Sequence, residues 1–302
     1  MALSPAAERR LDEAEVRMLL VQGAPHLARR TLQLVDEGWD NATWRLGDDL
    51  AVRIPRRGLA APLIEHEQQA LPIIGPMLDA VGVRTPIPVV DGRATSEFPW
   101  PWSIVPWIPG THALERPRAR NAAWAPELAN ALRALHRTAP ADAPHNPVRG
   151  IPLAQRDERL RELLALVPNA LRLSIDSAWS AGLAAPVSTE RVWIHGDLHP
   201  GNIVIAGDRL SALIDFGDVT AGDPSYDLAI AWMAFDAKGR AAFRHATAGR
   251  YDDATWVRAR AWAASVAAIL LVQSDDRDGY RALGRSTAAE LLARDVTAPR
   301  AP

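Results

Sequence analysis

Near the start of the chain, apolar residues recur at helical spacing over residues 11–21, and Ser4-Pro5 with Glu8 resembles a helix start. The period then shortens. Residues 32–35, 44–46 and 50–54 read as strands, with Gly47-Asp48-Asp49 turning the second into the third as in a β-meander. Helical spacing returns over residues 61–78, where Ile64, Leu71, Ile74 and Leu78 share a face despite Pro72. Residues 86–90 read as extended and Asp91-Gly92 as a turn; residues 99–110 run from a strand into a linker rich in Pro and Trp. From Asn121 onward helices dominate, at residues 122–135, 155–167, 171–181, 225–235, 239–246, 253–272 and 276–294, with a loop at 146–153 and a disordered tail expected after Ala298. Strands gathered early and helices gathered late predict an α+β chain.

One stretch breaks the helical pattern. Across residues 192–219, three short apolar runs (Val192-Trp193-Ile194, Ile203-Val204-Ile205 and Leu213-Ile214) alternate with polar loops, and Gly207-Asp208 is a two-residue hairpin turn. Each run delivers polar side chains to a strand end. Asp197 is followed five residues later by Asn202, and Asp215-Phe216-Gly217 comes after the hairpin. A carboxylate, an amide and a second carboxylate form an oxygen set suited to Mg²⁺ completed by phosphates and water. The same Asp-x-x-x-x-Asn and Asp-Phe-Gly spacing serves phosphoryl transfer, one Asp accepting a hydroxyl proton while Asn and the second Asp hold metal. Alternating His195, Asp197 and His199 also allow a zinc or manganese site, but His136, His145 and His245 have no spacing that would complete it.

Composition narrows the classes. Apolar residues make up 48% and charged residues 23%, ordinary for a globular enzyme, and a net charge of −2 gives no sign of a nucleic-acid or membrane surface. With no cysteine there is neither a disulfide framework nor a thiolate metal site. The early charges argue against a signal peptide, and the longest apolar run, residues 261–272, falls short of the roughly 20 needed to span a bilayer. A cytoplasmic monomer or dimer is expected. Lys238 is the only lysine among the 34 basic residues, so chemistry that elsewhere uses lysine must use arginine here.

His195-Gly196-Asp197-Leu198-His199-Pro200-Gly201-Asn202, Ile214-Asp215-Phe216-Gly217 and Gly222-Asp223-Pro224-x-x-Asp227-Leu228 together closely resemble the aminoglycoside phosphotransferase family. The resemblance implies a two-lobed, protein-kinase-like fold. Residues 1–106 would form a small antiparallel sheet lobe for the nucleotide, residues 107–302 a larger helical lobe for catalysis and acceptor, with a hinge about 103–110. It implies Asp197 as base, Asn202 and Asp215 as Mg²⁺ ligands, and His195, Asp223 and Asp227 as structural support of the catalytic loop. ATP or GTP would be the donor and a small hydroxyl-bearing molecule the acceptor.

Further expectations follow from the same resemblance. Gly38, Asp40 and Asn41 form the corner that would cover the nucleotide, and Pro106, Trp107 and Ile108 would meet the base through backbone atoms. Arg53 stands on the third strand where kinases carry lysine, opposite in register to the apolar Val52 and Ile54. Its fork can grip phosphate oxygens with a different geometry. Glu67 is the matching helix glutamate, Glu65 the fallback. Asp252, Asp253, Asp275, Asp276 and Asp278 are candidate carboxylates for a polycationic antibiotic, or else helix starts; Trp256 and Trp262 could line a macrolide pocket, or else the core. A metabolite kinase for an amino alcohol or sugar is an alternative, and a non-catalytic nucleotide-binding pseudokinase is another.

Overall fold

The computed structural model describes residues 6–274 and 278–292. Helix α1 (Glu13–Gly23) starts later than residues 4–8 suggest. Asp12 and Glu15 exchange side-chain-to-backbone hydrogen bonds of 2.9 Å, a capping box that fixes the start. Ser4 and Pro5 lie outside the described residues.

Five strands follow: β1 (Leu32–Glu37), β2 (Asn41–Leu46), β3 (Leu50–Pro55), β4 (Val90–Gly92) and β5 (Trp102–Pro106). They form one antiparallel sheet in the order β1-β2-β3-β5-β4. Val16, Leu19 and Leu20 of α1 close one apolar core with Trp44, Leu46, Val52, Ile54, Trp102 and Ile104. Asp91-Gly92, expected as a turn, belongs to β4. A Cβ on Gly92 would sit 2.2 Å from the Trp102 indole, so glycine here admits the ring rather than a reversal of the chain.

Between β3 and β4 runs α2 (Ala61–Asp79). Its apolar stripe, Leu71, Ile74 and Leu78, joins the core of the helical region, while Glu67 on the same helix reaches the sheet. That division ties the two regions together. The helical region contains β6 (Thr111–His112), α3 (Ala125–Leu135), α4 (Asp157–Leu166), α5 (Asn169–Ala184), β7 (Val192–Ile194), β8 (Ile203–Ala206), β9 (Arg209–Leu213) and β10 (Thr220–Gly222). It continues with α6 (Ser225–Leu228), α7 (Ile230–Ala234), α8 (Ala237–Ala246), α9 (Asp253–Gln273) and α10 (Asp278–Glu290). The hairpin at Gly207-Asp208 joins β8 to β9 as its sequence predicts, whereas β7 pairs with β10.

Residues 225–235, read as one helix, divide at Ala229 into α6 and α7. Side chains supply the partners that a longer helix would have supplied: Arg118 donates to the carbonyls of Trp232 and Phe235, and Asn121 Nδ2 to that of Ala234. At the centre lies α9, buried through Trp256, Trp262 and a run of alanines. Small residues let its backbone approach α5, where a Cβ on Gly182 would lie 2.2 Å from the Cβ of Ala261. By length and composition α9 could cross a membrane, although no single apolar run does so; most of that window is packed inside the protein.

Candidate active site

β7 ends at Ile194 and the chain turns at once into the polar loop 195–202. Gly196 adopts φ +82°, and a Cβ there would lie 2.1 Å from the Asp218 carbonyl. Glycine is therefore what lets this loop touch the segment after β9. The buried Asp227 carboxylate of α6 accepts from His195 N at 2.7 Å and Gly196 N at 3.1 Å. Behind it, His136 bridges Asp227 (3.2 Å) to the Tyr251 hydroxyl (2.7 Å), and burial pushes that phenol up. The His195 ring is used on both sides: Nε2 meets the Ile214 carbonyl at 3.0 Å, and Nδ1 accepts from Asp197 N at 3.3 Å. Likewise His199 Nδ1 accepts from Gly201 N at 3.0 Å. Both ring nitrogens of His195 and one of His199 are committed to the backbone, so these histidines are braces, and among the described residues no group of three His, Asp or Glu side chains could make the zinc or manganese site.

On the sheet side, Arg53 joins three elements. Its Nη1 donates to Glu67 Oε1 at 2.6 Å and its Nη2 to Asp215 Oδ1 at 2.8 Å. The same Glu67 oxygen accepts from Phe216 N at 2.8 Å. Arg53 is 9% exposed and Glu67 1%. Burial opposes the charge on Arg53, yet Glu67 and Asp215 together hold it more firmly protonated than a free guanidinium. Burial pushes the Glu67 carboxyl up, with Arg53 pulling against it. Asp215 itself sits at φ +63°, a conformation that few non-glycine residues adopt and that aspartate tolerates better than most.

Asp197 faces a second arginine that the sequence reading passed over. Burial raises its carboxyl, but Arg149, His199 and His195 outweigh that and hold it far below the usual carboxylate range. Arg149 Nη2 lies 3.1 Å from Asp197 Oδ1 and 3.0 Å from Asp218 Oδ2, while Nη1 donates to the Tyr226 hydroxyl at 2.8 Å. His199 Nε2 stands 3.6 Å from Asp197 Oδ2. The loop carrying Arg149 is fixed independently. Asn146 donates to Asp218 at 2.6 Å and accepts from the backbone of Val148 and Arg149. Gly150 (φ +62°) passes so close to Gly222 that a Cβ on either would collide with the other. Asn202 Nδ2 donates to the Asp197 carbonyl at 2.9 Å. Nothing local in the sequence marks Arg149 or Asp218, since both acquire their place from a loop crossing more than 40 residues away in the chain.

Over this cleft the corner between β1 and β2 is short. Gly38 N donates to the Asn41 carbonyl, and Asp40 is paired with Arg57 at 2.6 Å. Burial pushes the Asp40 carboxyl up against Arg57, and the charges of Asp215 and Asp218 act in the same direction as burial. Asn41, expected in the loop, is instead the buried first residue of β2. At the end of β5, Trp107 N donates to the Asp49 carbonyl at 2.8 Å. That amide is therefore committed to the sheet.

The sequence profile of the phosphotransferase enzyme family matches residues 31–262. The chain belongs to that family. A homoserine kinase from Methylocella silvestris is 29% identical over 222 residues, covering 68% of this chain and 64% of that kinase, just under two thirds of its length. Aminoglycoside 2'-phosphotransferase-IIIa in its GDP complex superposes with a TM-score of 0.71 at 20% identity, over 93% of this chain and 98% of that one. The macrolide 2'-phosphotransferase MphH from Brachybacterium faecium does so with a TM-score of 0.58 at 23% identity, over 87% and 92%. At such identities the likeness is one of fold: this phosphotransferase-family chain has their kinase-like architecture.

Several residues of this family member sit elsewhere than expected. Asp223 pairs with Arg258 of α9 at 2.6 Å and caps Ser225 N at 3.0 Å; it braces the helical core, and Asp227 alone of the two touches the catalytic loop. Trp256 packs edge-on against Trp232, Phe243 and Tyr251, and Trp262 against Trp179 and Tyr226, so both are core residues rather than pocket walls. Asp252 is the N-cap of α9, accepting from Thr255 N at 2.7 Å. Asp275 and Asp276 lie outside the described residues. Asp252→Ala is expected to lower unfolding stability by about 1 kcal/mol in urea titration, as for a lost helix cap. An unchanged midpoint would return Asp252 to the pool of acceptor-binding carboxylates.

Proposed function

We propose that this protein is a Mg²⁺-dependent phosphotransferase that moves the γ-phosphoryl group of ATP or GTP to a hydroxyl of a small molecule. The observation that carries the reading is the meeting of Arg53, Glu67 and Asp215 from β3, α2 and the segment after β9, beside Asp197 and Asn202. Residues 1–106 hold the nucleotide and residues 107–302 the acceptor, with backbone atoms of the segment Pro106 to Ile108 meeting the base. Arg53 and the covering corner at Gly38 keep the phosphates in place. Asp197 orients the acceptor hydroxyl and takes its proton.

The donor set fits Mg²⁺. Asn202 Oδ1 and Asp215 are hard oxygens, and among the described residues no group of three His, Asp or Glu side chains could hold a metal unaided. A cation here thus depends on phosphate oxygens and water for the rest of its shell, as Mg²⁺ does in phosphoryl-transfer sites. Bound there, Mg²⁺ would neutralise charge developing on the transferred group. Asp215→Ala is expected to weaken binding of the Mg²⁺–nucleotide complex at least about tenfold, by analogy with the loss of a metal ligand. Equal affinity by calorimetry would exclude that role.

For the acceptor, one observation favours a metabolite over a polycationic or macrolide antibiotic. Asp252, Trp256 and Trp262, which could have recognised such drugs, serve a cap and the core; a homoserine kinase among the relatives points the same way. A coupled assay with ATP and GTP against amino alcohols, hydroxy amino acids, sugars, aminoglycosides and macrolides tests this. Turnover confined to the antibiotics would overturn the metabolite reading. Absence of any nucleotide binding would leave the pseudokinase and the kinase alike without support.

A further inference from the structure

We propose that Arg149 is a catalytic residue that passes a guanidinium N–H from Asp197 to the transferred phosphoryl group, on the acceptor side of the cleft and opposite Arg53. The inference rests on the phosphotransferase reading above. Its starting point is a contrast between the two arginines. Arg53 gives one nitrogen to each of two carboxylates at 2.6 and 2.8 Å. Arg149 instead divides a single nitrogen, Nη2, between Asp197 and Asp218, at 3.1 and 3.0 Å. Charge-assisted N–H···O⁻ bonds normally fall near 2.7–2.9 Å. The two that Arg149 Nη2 makes are longer, so releasing Asp197 loses one long bond.

Its remaining donors point the same way. Nε of Arg149 is buried with no hydrogen-bond partner. That donor is open to a ligand atom or a water in the cleft. The side chain remains 26% exposed and that of Asp197 35%, so the pair faces the cleft and is not sealed in the core. The loop itself does not depend on the guanidinium: Asn146 anchors it to Asp218, and Gly150 is packed on Gly222. The side chain can therefore move while its backbone stays.

Charge makes the same demand. Asp197, Asp215 and Asp218 already crowd the site, and a triphosphate adds more negative charge between them. On the donor side Arg53 answers it. On the acceptor side Arg149 is the cation in contact with Asp197, and any hydroxyl hydrogen-bonded to Asp197 places the phosphorus it attacks within reach of the same guanidinium. In the step, the acceptor O–H gives its proton to Asp197 as its oxygen bonds to the γ-phosphorus. The bond from that phosphorus to the bridging oxygen breaks, and its electron pair leaves with the nucleoside diphosphate. Arg149 keeps all its protons and stabilises the charge spread over the equatorial oxygens, the service for which an arginine is worth about 10³–10⁵ in rate elsewhere.

The test avoids the unidentified acceptor by using ADP and GDP with Mg²⁺, with and without aluminium fluoride, measured by calorimetry. In the wild type, aluminium fluoride is expected to tighten diphosphate binding by at least about a hundredfold, as transition-state mimics do. In Arg149→Ala that tightening should fall at least about tenfold, with affinity for the Mg²⁺–diphosphate alone within about twofold, and added guanidinium ion should restore part of it. Equal tightening in variant and wild type, or none in the wild type, overturns the proposal. If Arg149→Ala does not fold, Arg149→Gln serves, because it keeps an N–H donor for the neighbouring carboxylates without the positive charge; undiminished tightening there overturns it as well. A wild type that binds neither diphosphate removes the phosphotransferase reading itself, and this inference with it.

Discussion

Asp197→Asn is expected to lower kcat by about 10²–10⁴-fold, the usual contribution of a positioned general base, while the affinity for Mg²⁺–nucleotide changes little. The separation follows from the geometry. Asn202 is oriented by the main-chain carbonyl of residue 197 and not by its carboxylate, so the substitution leaves the metal-facing amide where it is. The loop also keeps its other supports, since Asp227 holds the amides of His195 and Gly196 and His195 holds the amide of residue 197. Asparagine is isosteric but accepts no proton, and its neutral side chain leaves Arg149 to Asp218. Single-turnover kinetics on an acceptor found by the screen, with nucleotide binding measured in parallel, checks both halves. Undiminished turnover would remove Asp197 as the base; a matching collapse in nucleotide affinity would reveal a role in folding the loop.

The second large effect is on stability. Glu67→Ala is expected to cost about 3–5 kcal/mol, as when one partner of a buried ion pair is removed. Two groups lose an acceptor at once: the Arg53 guanidinium, 9% exposed, is left with Asp215 alone, and the Phe216 amide loses Glu67. Glu67→Gln should cost less, because an amide oxygen still accepts from both. Arg53 would then answer to Asp215 alone, so Mg²⁺–nucleotide should bind Glu67→Gln more weakly than wild type. Guanidinium-chloride unfolding of the two variants reads the first difference and calorimetry the second. If alanine and glutamine destabilise equally, charge and not hydrogen bonding holds the cluster.

How far the site was legible in the sequence follows from how locally each residue is placed. Asp197, Asn202 and Asp215 lie at the ends of short apolar runs with hairpin spacing, so their delivery to one point is written within about 20 residues. Arg53 could be placed because strand alternation says which way a side chain faces, whereas Glu67 was matched, with Glu65 as fallback, through the family resemblance alone. Arg149, Asp218 and Tyr226 carry no such mark. Their meeting depends on the 146–150 loop crossing β10 at Gly150 and Gly222. Asp252, Trp256 and Trp262 failed in the opposite way. Acidic residues beside a helix and aromatic residues within one serve capping and packing as readily as binding, and only the neighbours decide. The fold was easier, since the change from period 2 to helical spacing separates sheet from helices. The break at Ala229 was not visible, because an apolar stretch buried all round has no polar face to interrupt.

On the function proposed above, a cleft that grips triphosphate with a guanidinium has a practical side in chemical proteomics. Reagents that capture kinases by acylating the amine beside a bound nucleotide find no amine on β3, and the lone Lys238 is carried by α8 in the helical region. Surveys of nucleotide-binding proteins built on such probes would pass this protein by, and dicarbonyl reagents directed at arginine are the labels that Arg53 would answer to.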